Sequence, residues 1–85
     1  MKKAKAIKFT PHAEEKLSRL AKMQVTEEKV VETIQNPESI RAGYFGRKIA
    51  QSSLTPELML RVVYEETNNR VLVVTIYPAK RERYV

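Results

Sequence analysis

The stretch Leu58–Tyr77 constrains the fold more than any other part of the chain. Two β-branched, apolar runs flank Thr67-Asn68-Asn69, the pattern of a β-hairpin. Asparagine tolerates the positive φ that tight hairpin turns demand. With Asn68 and Asn69 as the turn residues, Arg61 falls opposite Ile76, Val62 opposite Thr75 and Tyr64 opposite Val73. Both faces of this hairpin carry large apolar groups, so it belongs in the middle of a sheet and not at its edge. Pro78 lacks a backbone donor and is expected to end the pairing. The chain then leaves the hairpin as Lys80-Arg81-Glu82-Arg83-Tyr84, a basic tail that ends in a tyrosine.

The rest of the chain supplies a cover for that sheet. Lys5 to Phe9 alternates in the manner of a short first strand. Thr10-Pro11 is a helix start, with Thr as N-cap and Pro at the first helical position. Ala13, Leu17, Leu20 and Ala21 then fall on one helical face. Thr26 caps a second helix in which Val25 and Val30 form a hydrophobic staple and Val30, Val31 and Ile34 a buried stripe. Asn36-Pro37 ends it. Glu38 to Ala42 and Arg47 to Leu54 read as strands joined at Gly43-Tyr44-Phe45-Gly46, and Thr55-Pro56-Glu57 turns into the hairpin. The order predicts one α+β domain spanning residues 1–85: an N-terminal strand and two helices packed on an antiparallel sheet of four or so strands.

Composition narrows the function. The 85 residues include no Cys and no Asp, and a single His. Disulfides, thiolate chemistry and the usual zinc clusters therefore have no residues to build them, and no metal or cofactor is expected. Glu65 and Glu66 are adjacent on a strand and point to opposite faces, which suits no shared metal. Gly43 and Gly46 are followed by no Gly-Lys-Ser/Thr, so no phosphate loop forms. No apolar run is long enough to cross a membrane, and no secretory leader follows the N-terminal lysines. A cytoplasmic protein with no membrane partner is expected. The net charge of +6 is concentrated at the two termini and at Arg41, Arg47-Lys48 and Arg61, which points to a polyanion or an acidic protein as partner.

The side chains that remain suit phosphodiester cleavage without metal. RNA carries its own nucleophile, the 2′-hydroxyl. An enzyme then needs a base for that proton, an acid for the leaving oxygen, and cations for the charge that develops on phosphorus. His12, Tyr84, Arg83, Arg81, Lys80 and Arg61 are available for these roles.

Phe9-Thr-Pro-His-Ala-Glu-Glu-Lys-Leu, Val25-Thr-Glu-Glu-Lys-Val, Asn36-Pro-Glu, Gly46-Arg, Leu60-Arg-Val-Val-Tyr and Val73-Val-Thr-Ile-Tyr-Pro, with Arg83-Tyr84 after it, run in order over nearly the whole chain. Together they resemble the DUF4258 family, which is itself similar to the RelE/ParE-like toxin superfamily. The resemblance implies a RelE-like fold. It also implies a toxin–antitoxin role, as an mRNA interferase that cuts RNA with the help of the ribosome and is restrained by an antitoxin protein. Arg83 and Tyr84 match the C-terminal arginine and tyrosine of such endoribonucleases, with Arg81 competing for the place of Arg83. Arg61 matches a phosphate-binding position and His12 the family's His-Ala motif. Lys16 stands where many relatives have arginine, which keeps the charge and loses the bidentate fork.

Each residue also has a plainer reading. His12, at the second helical position, is either a base or phosphate contact or a structural group hydrogen-bonded to the sheet. Tyr84 is either a proton-transfer group or an aromatic packed on the sheet edge. Arg61, flanked by Leu60 and Val62, needs an anion, supplied by Glu65 or by a substrate phosphate. Lys16, Lys48, Lys80 and Tyr77 are the remaining RNA-binding candidates. Tyr44 and Phe45 have the chemistry to stack on bases, yet turn aromatics more often fold back over the core. A non-catalytic basic module of the same fold, binding nucleic acid, a ribosome or an antitoxin-like protein, is the alternative to the nuclease.

Overall fold

The computed structural model describes residues 6–81. Its elements are β1 (Ala6–Phe9), α1 (Pro11–Arg19), a 3₁₀ turn over Leu20–Met23, α2 (Glu27–Gln35), β2 (Ser39–Ala42), β3 (Lys48–Ser53), β4 (Leu58–Glu66) and β5 (Arg70–Lys80). This is the α+β architecture that the pattern predicts, with the N-terminal strand and both helices in place. The sheet has five strands in the order β1-β5-β4-β3-β2. It is mixed: β1 runs parallel to β5, and every other pair is antiparallel.

Both helices start where their capping residues dictate. Thr10 is extended, and its hydroxyl oxygen accepts from the Ala13 amide at 3.0 Å. The same hydroxyl donates to the Val74 carbonyl, and the Thr10 amide donates to Val73, both at 3.0 Å. One residue thus caps α1 and ties its first turn to β5. Thr26 caps α2 through the Lys29 amide at 3.1 Å.

The core lies between the helices and one face of the sheet. Ala13, Val25 and Val30 meet Ala50, Leu60, Val62, Tyr64, Val71, Val73 and Ile76, all buried. Leu17 and Leu20 are half-buried against this cluster, as is Ile34. Two expectations are corrected here. Ala21 is exposed, because α1 gives way to the tighter 3₁₀ turn before reaching it and the face rotates away. In α2 the buried partner of Val30 is Thr33, while Val31 and Ile34 are only half-buried. Thr33 is tolerated because its hydroxyl donates to the Lys29 carbonyl at 2.8 Å and lies 2.7 Å from the Ser52 hydroxyl on β3. The Thr33 proton is used on Lys29, so Ser52 donates to Thr33.

The hairpin closes as expected around Asn68 and Asn69, with the Thr67 amide donating to the Arg70 carbonyl at 2.9 Å. Neither asparagine takes a positive φ, however. Tyr64 faces Val73, but a bulge between Val63 and Tyr64 shifts the register beyond that point. Arg61 therefore faces Tyr77 and not Ile76, and Val62 faces Ile76 and not Thr75. The bulge also reverses the alternation of β5: Val71 and Val73 point into the core before it, and Ile76 after it. Pro78 does not stop the strand. It sits opposite Leu60, and pairing continues to Lys80. Past Val73, β5 has a neighbour on one side only, and a residue without an N–H is tolerated at such an edge position.

Candidate nucleic-acid interface

The face of the sheet turned away from the helices carries Gln51 and Arg61 in its middle. Leu60, Val62 and Tyr64 point into the core, so Met59, Arg61, Val63 and Glu65 point the other way. The registers align one row across four strands: Ser39 on β2, Gln51 on β3, Arg61 on β4 and Tyr77 on β5. Gln51 is 0% and Arg61 5% exposed. The Gln51 amide donates to the Ser39 hydroxyl at 2.6 Å, and its Oε1 is buried with no hydrogen-bond partner among the described residues. The Arg61 guanidinium lies 5.7 Å from the centre of the Tyr77 ring, within cation–π range. The bulge is what makes these two residues neighbours.

His12 approaches the same part of the sheet from its edge. It is exposed on the first turn of α1, where Thr10 anchors the helix to β5, and its Nε2 lies 3.1 Å from the Thr75 hydroxyl. Thr75 and Tyr77 are two residues apart on β5 and share a side, about 7 Å apart along the strand. The plainer reading of His12, a hydrogen bond to the sheet, is therefore realised. The imidazole is also left exposed beside the row that holds Tyr77 and Arg61.

Arg81 sits at the end of β5 in a cluster of its own. Its guanidinium donates to the Ser53 hydroxyl and lies 4.0 Å from the Glu38 carboxylate, and its amide donates to the Glu57 carbonyl at 2.9 Å. Glu38 in turn accepts from the Ser53 amide at 2.6 Å. The hydrogen bonds from Ser53, and then the Arg81 charge, hold the Glu38 carboxyl below the usual carboxylate range. Such a carboxylate contributes stability that is complete above the ordinary glutamate value, about pH 4.3, and that fades as pH falls through its lowered value. Glu38→Gln is therefore expected to melt below the parent at about pH 7, by a gap that is smaller at about pH 3. A gap of the same size at both pH values, in thermal melts followed by circular dichroism, would show that the carboxylate charge is not its source.

The other predicted residues divide clearly. Lys48 is ion-paired to Glu66 at 2.8 Å, and this hydrogen bond with its carboxylate raises the lysine above its ordinary value. Lys16 is half-buried on α1, and Lys80 is exposed at the end of β5. Arg83 and Tyr84 lie outside the described residues. Glu65, offered as the anion for Arg61, instead accepts from Arg47 Nε at 2.8 Å. Tyr64 is a core residue whose phenol is pushed up by burial. Among the described residues no three His, Cys, Asp or Glu side chains gather as metal ligands, and no helix is long and apolar enough to cross a membrane.

The loop between β2 and β3 overturns the expectation that its aromatics fold over the core. Tyr44 is 87% and Phe45 89% exposed. Phe45 has φ 59° and ψ 35°, left-handed backbone that a bulky L-residue enters at a cost of about 1–3 kcal/mol. Gly46 follows at φ 75°, which a glycine adopts without penalty. The sequence shows two aromatics between glycines; it does not show which way a left-handed residue will aim them.

No family model matches this chain, and neither a curated protein nor a solved structure gives a significant match to it. Fold and site define it as a small α+β protein whose helix-free sheet face is lined by an arginine–tyrosine pair.

Proposed function

We propose that this protein is a metal-independent endoribonuclease of the toxin–antitoxin type, acting on mRNA with the help of the ribosome in the cytoplasm. The observation that carries the reading is the grouping of Arg61, Tyr77 and Thr75-bound His12 at one side of the sheet. Arg61 would hold the scissile phosphate in a largely desolvated setting, where a cation acts more strongly than in water. His12 would exchange a proton with the 2′-hydroxyl or the leaving oxygen. Arg81 and Arg83 would add positive charge, and Tyr84 would share the proton transfers, as the resemblance to RelE-like nucleases implies. An antitoxin protein would restrain the activity by covering this face.

One observation favours the alternative, a non-catalytic basic module that binds RNA, the ribosome or an antitoxin-like partner. Arg47, Lys48 and Arg81 are already committed to Glu65, Glu66 and Glu38. Exposed pairs of this kind are weak and open to exchange with phosphate, which suits reversible binding to a polyanion.

Primer extension on an mRNA undergoing translation in a cell-free system separates the two. New 5′ ends that appear with the wild type and vanish with His12→Gln and Tyr84→Phe support the nuclease. Translation that stops without new ends supports the binding module. Neither effect removes both.

A further inference from the structure

The Tyr44–Phe45 tip is the largest exposed aromatic feature among the described residues, and its geometry is built. The Gly43 amide donates to the Arg47 carbonyl at 2.8 Å, and the Arg47 amide donates to the Tyr44 carbonyl at 3.1 Å. These two bonds close the loop. The rings do not stack on each other: their centres are 6.5 Å apart and their planes tilted by 52°. The Arg47 guanidinium sits 5.9 Å from the centre of the Phe45 ring, and its Nε is held by Glu65 on β4. Glu65 lies four residues along β4 from Arg61 on the same side of the sheet, about 13 Å away. The tip is thus the far end of the face that holds the arginine–tyrosine row.

We infer that Tyr44 and Phe45 form a stacking platform for unpaired nucleobases of a single strand whose backbone crosses the helix-free face. The inference rests on the nucleic-acid reading of that face, whether or not the strand is cut there. Three features carry it. Phe45 holds a left-handed backbone that is costly for a bulky residue, and its ring is left in solvent. The rings are splayed and each keeps faces open to a planar partner, which bases supply irrespective of sequence. The chain's net charge of +6 favours a polyanion over a neutral apolar partner. A second protein copy is the poorer occupant. Two rings offer about 300–500 Å² of contact, well short of the roughly 800 Å² per partner that a stable interface buries.

The two rings carry no charge, so the platform acts through stacking. Its contribution should therefore be the same factor at low and high salt, unlike that of the phosphate contacts. The test measures binding of the whole protein to a labelled oligouridylate of roughly eight nucleotides and to an abasic oligomer with the same number of phosphates. Tyr44→Ser and Phe45→Asn remove the rings without touching the core, and asparagine accepts the left-handed backbone. The double variant is expected to bind oligouridylate at least about tenfold more weakly, by a similar factor at both salt concentrations, and to bind the abasic oligomer as the parent does. It should also melt no lower than the parent, since strain is removed. Equal loss on both oligomers, no loss on either, or no binding by the parent overturns the platform. So does a shift of the parent from oligomer to monomer on substitution, which would make the tip a protein contact. Cleavage by the parent, with oligouridylate binding unchanged in the double variant, would leave the nuclease standing without the platform. Oligouridylate binding that depends on the rings, with no cleavage, would do the reverse.

Discussion

Leu60→Ala is expected to lower the melting temperature by about 8–40 °C and to leave part of the protein unfolded near body temperature. Leu60 is fully buried on the central strand, with Ser52 on one side and Pro78 on the other. A strand paired on both sides cannot move into the space that the substitution opens, so the cavity persists. Truncations of this kind cost about 2–5 kcal/mol. A chain of this size has about 4–13 kcal/mol in all at the usual stability per residue, and each kcal/mol shifts its melt by about 4–8 °C. The absence of cysteine leaves no disulfide to offset the loss. Leu58→Ala, at a half-buried position on the same strand, is the comparison and should cost clearly less. Similar melts for the two variants, followed by circular dichroism, would mean that the core is not centred where β4 places it.

The parts of the fold that were legible in the sequence are those fixed by local chemistry. Thr10-Pro11 and Thr26 each announce a helix start because capping involves residues within one turn, and both cap as read. The turn at Asn68–Asn69 is local in the same way. What the sequence hid is what depends on distant partners. The bulge next to Val63 leaves no trace in a run as uniformly apolar as Val71-Leu-Val-Val-Thr-Ile76, since adding one residue there changes no local pattern. Yet it decides that Arg61 meets Tyr77. Thr33, Gln51 and Ser52 look like surface residues by type and are buried by virtue of hydrogen bonds across the fold. The parallel placement of β1 beside β5 joins residues more than sixty positions apart. The candidate site was legible as a set of residue types, and its grouping was not. His12 and Arg61 are brought towards one side of the sheet by a cap and a bulge, one visible in the sequence and the other not.

Arg61→Met is expected to leave folding nearly intact and to reduce RNA cleavage by about 10²–10³-fold, the usual cost of removing one preorganised group that holds developing charge. The two outcomes are linked by the position of Arg61. It is 5% exposed and its guanidinium lies over Tyr77. Methionine fills similar space with a flexible apolar chain that keeps contact with an aromatic ring, so the packing over Tyr77 survives the exchange. A side chain that serves only to pack over Tyr77 would therefore be replaceable, whereas one that grips a phosphate would not. Arg61→Lys refines the test, since lysine keeps the charge but gives up the planar fork that both stacks on tyrosine and grips two phosphate oxygens. It should fall between the parent and the methionine variant in activity. The measurements are a thermal melt and the yield of new 5′ ends in the translating extract. A melt lowered by more than about 10 °C in the methionine variant, roughly 2 kcal/mol, would assign Arg61 to the fold. Full cleavage with an unchanged melt would remove it from the site, and the phosphate would then have to be held by Arg81 or Arg83.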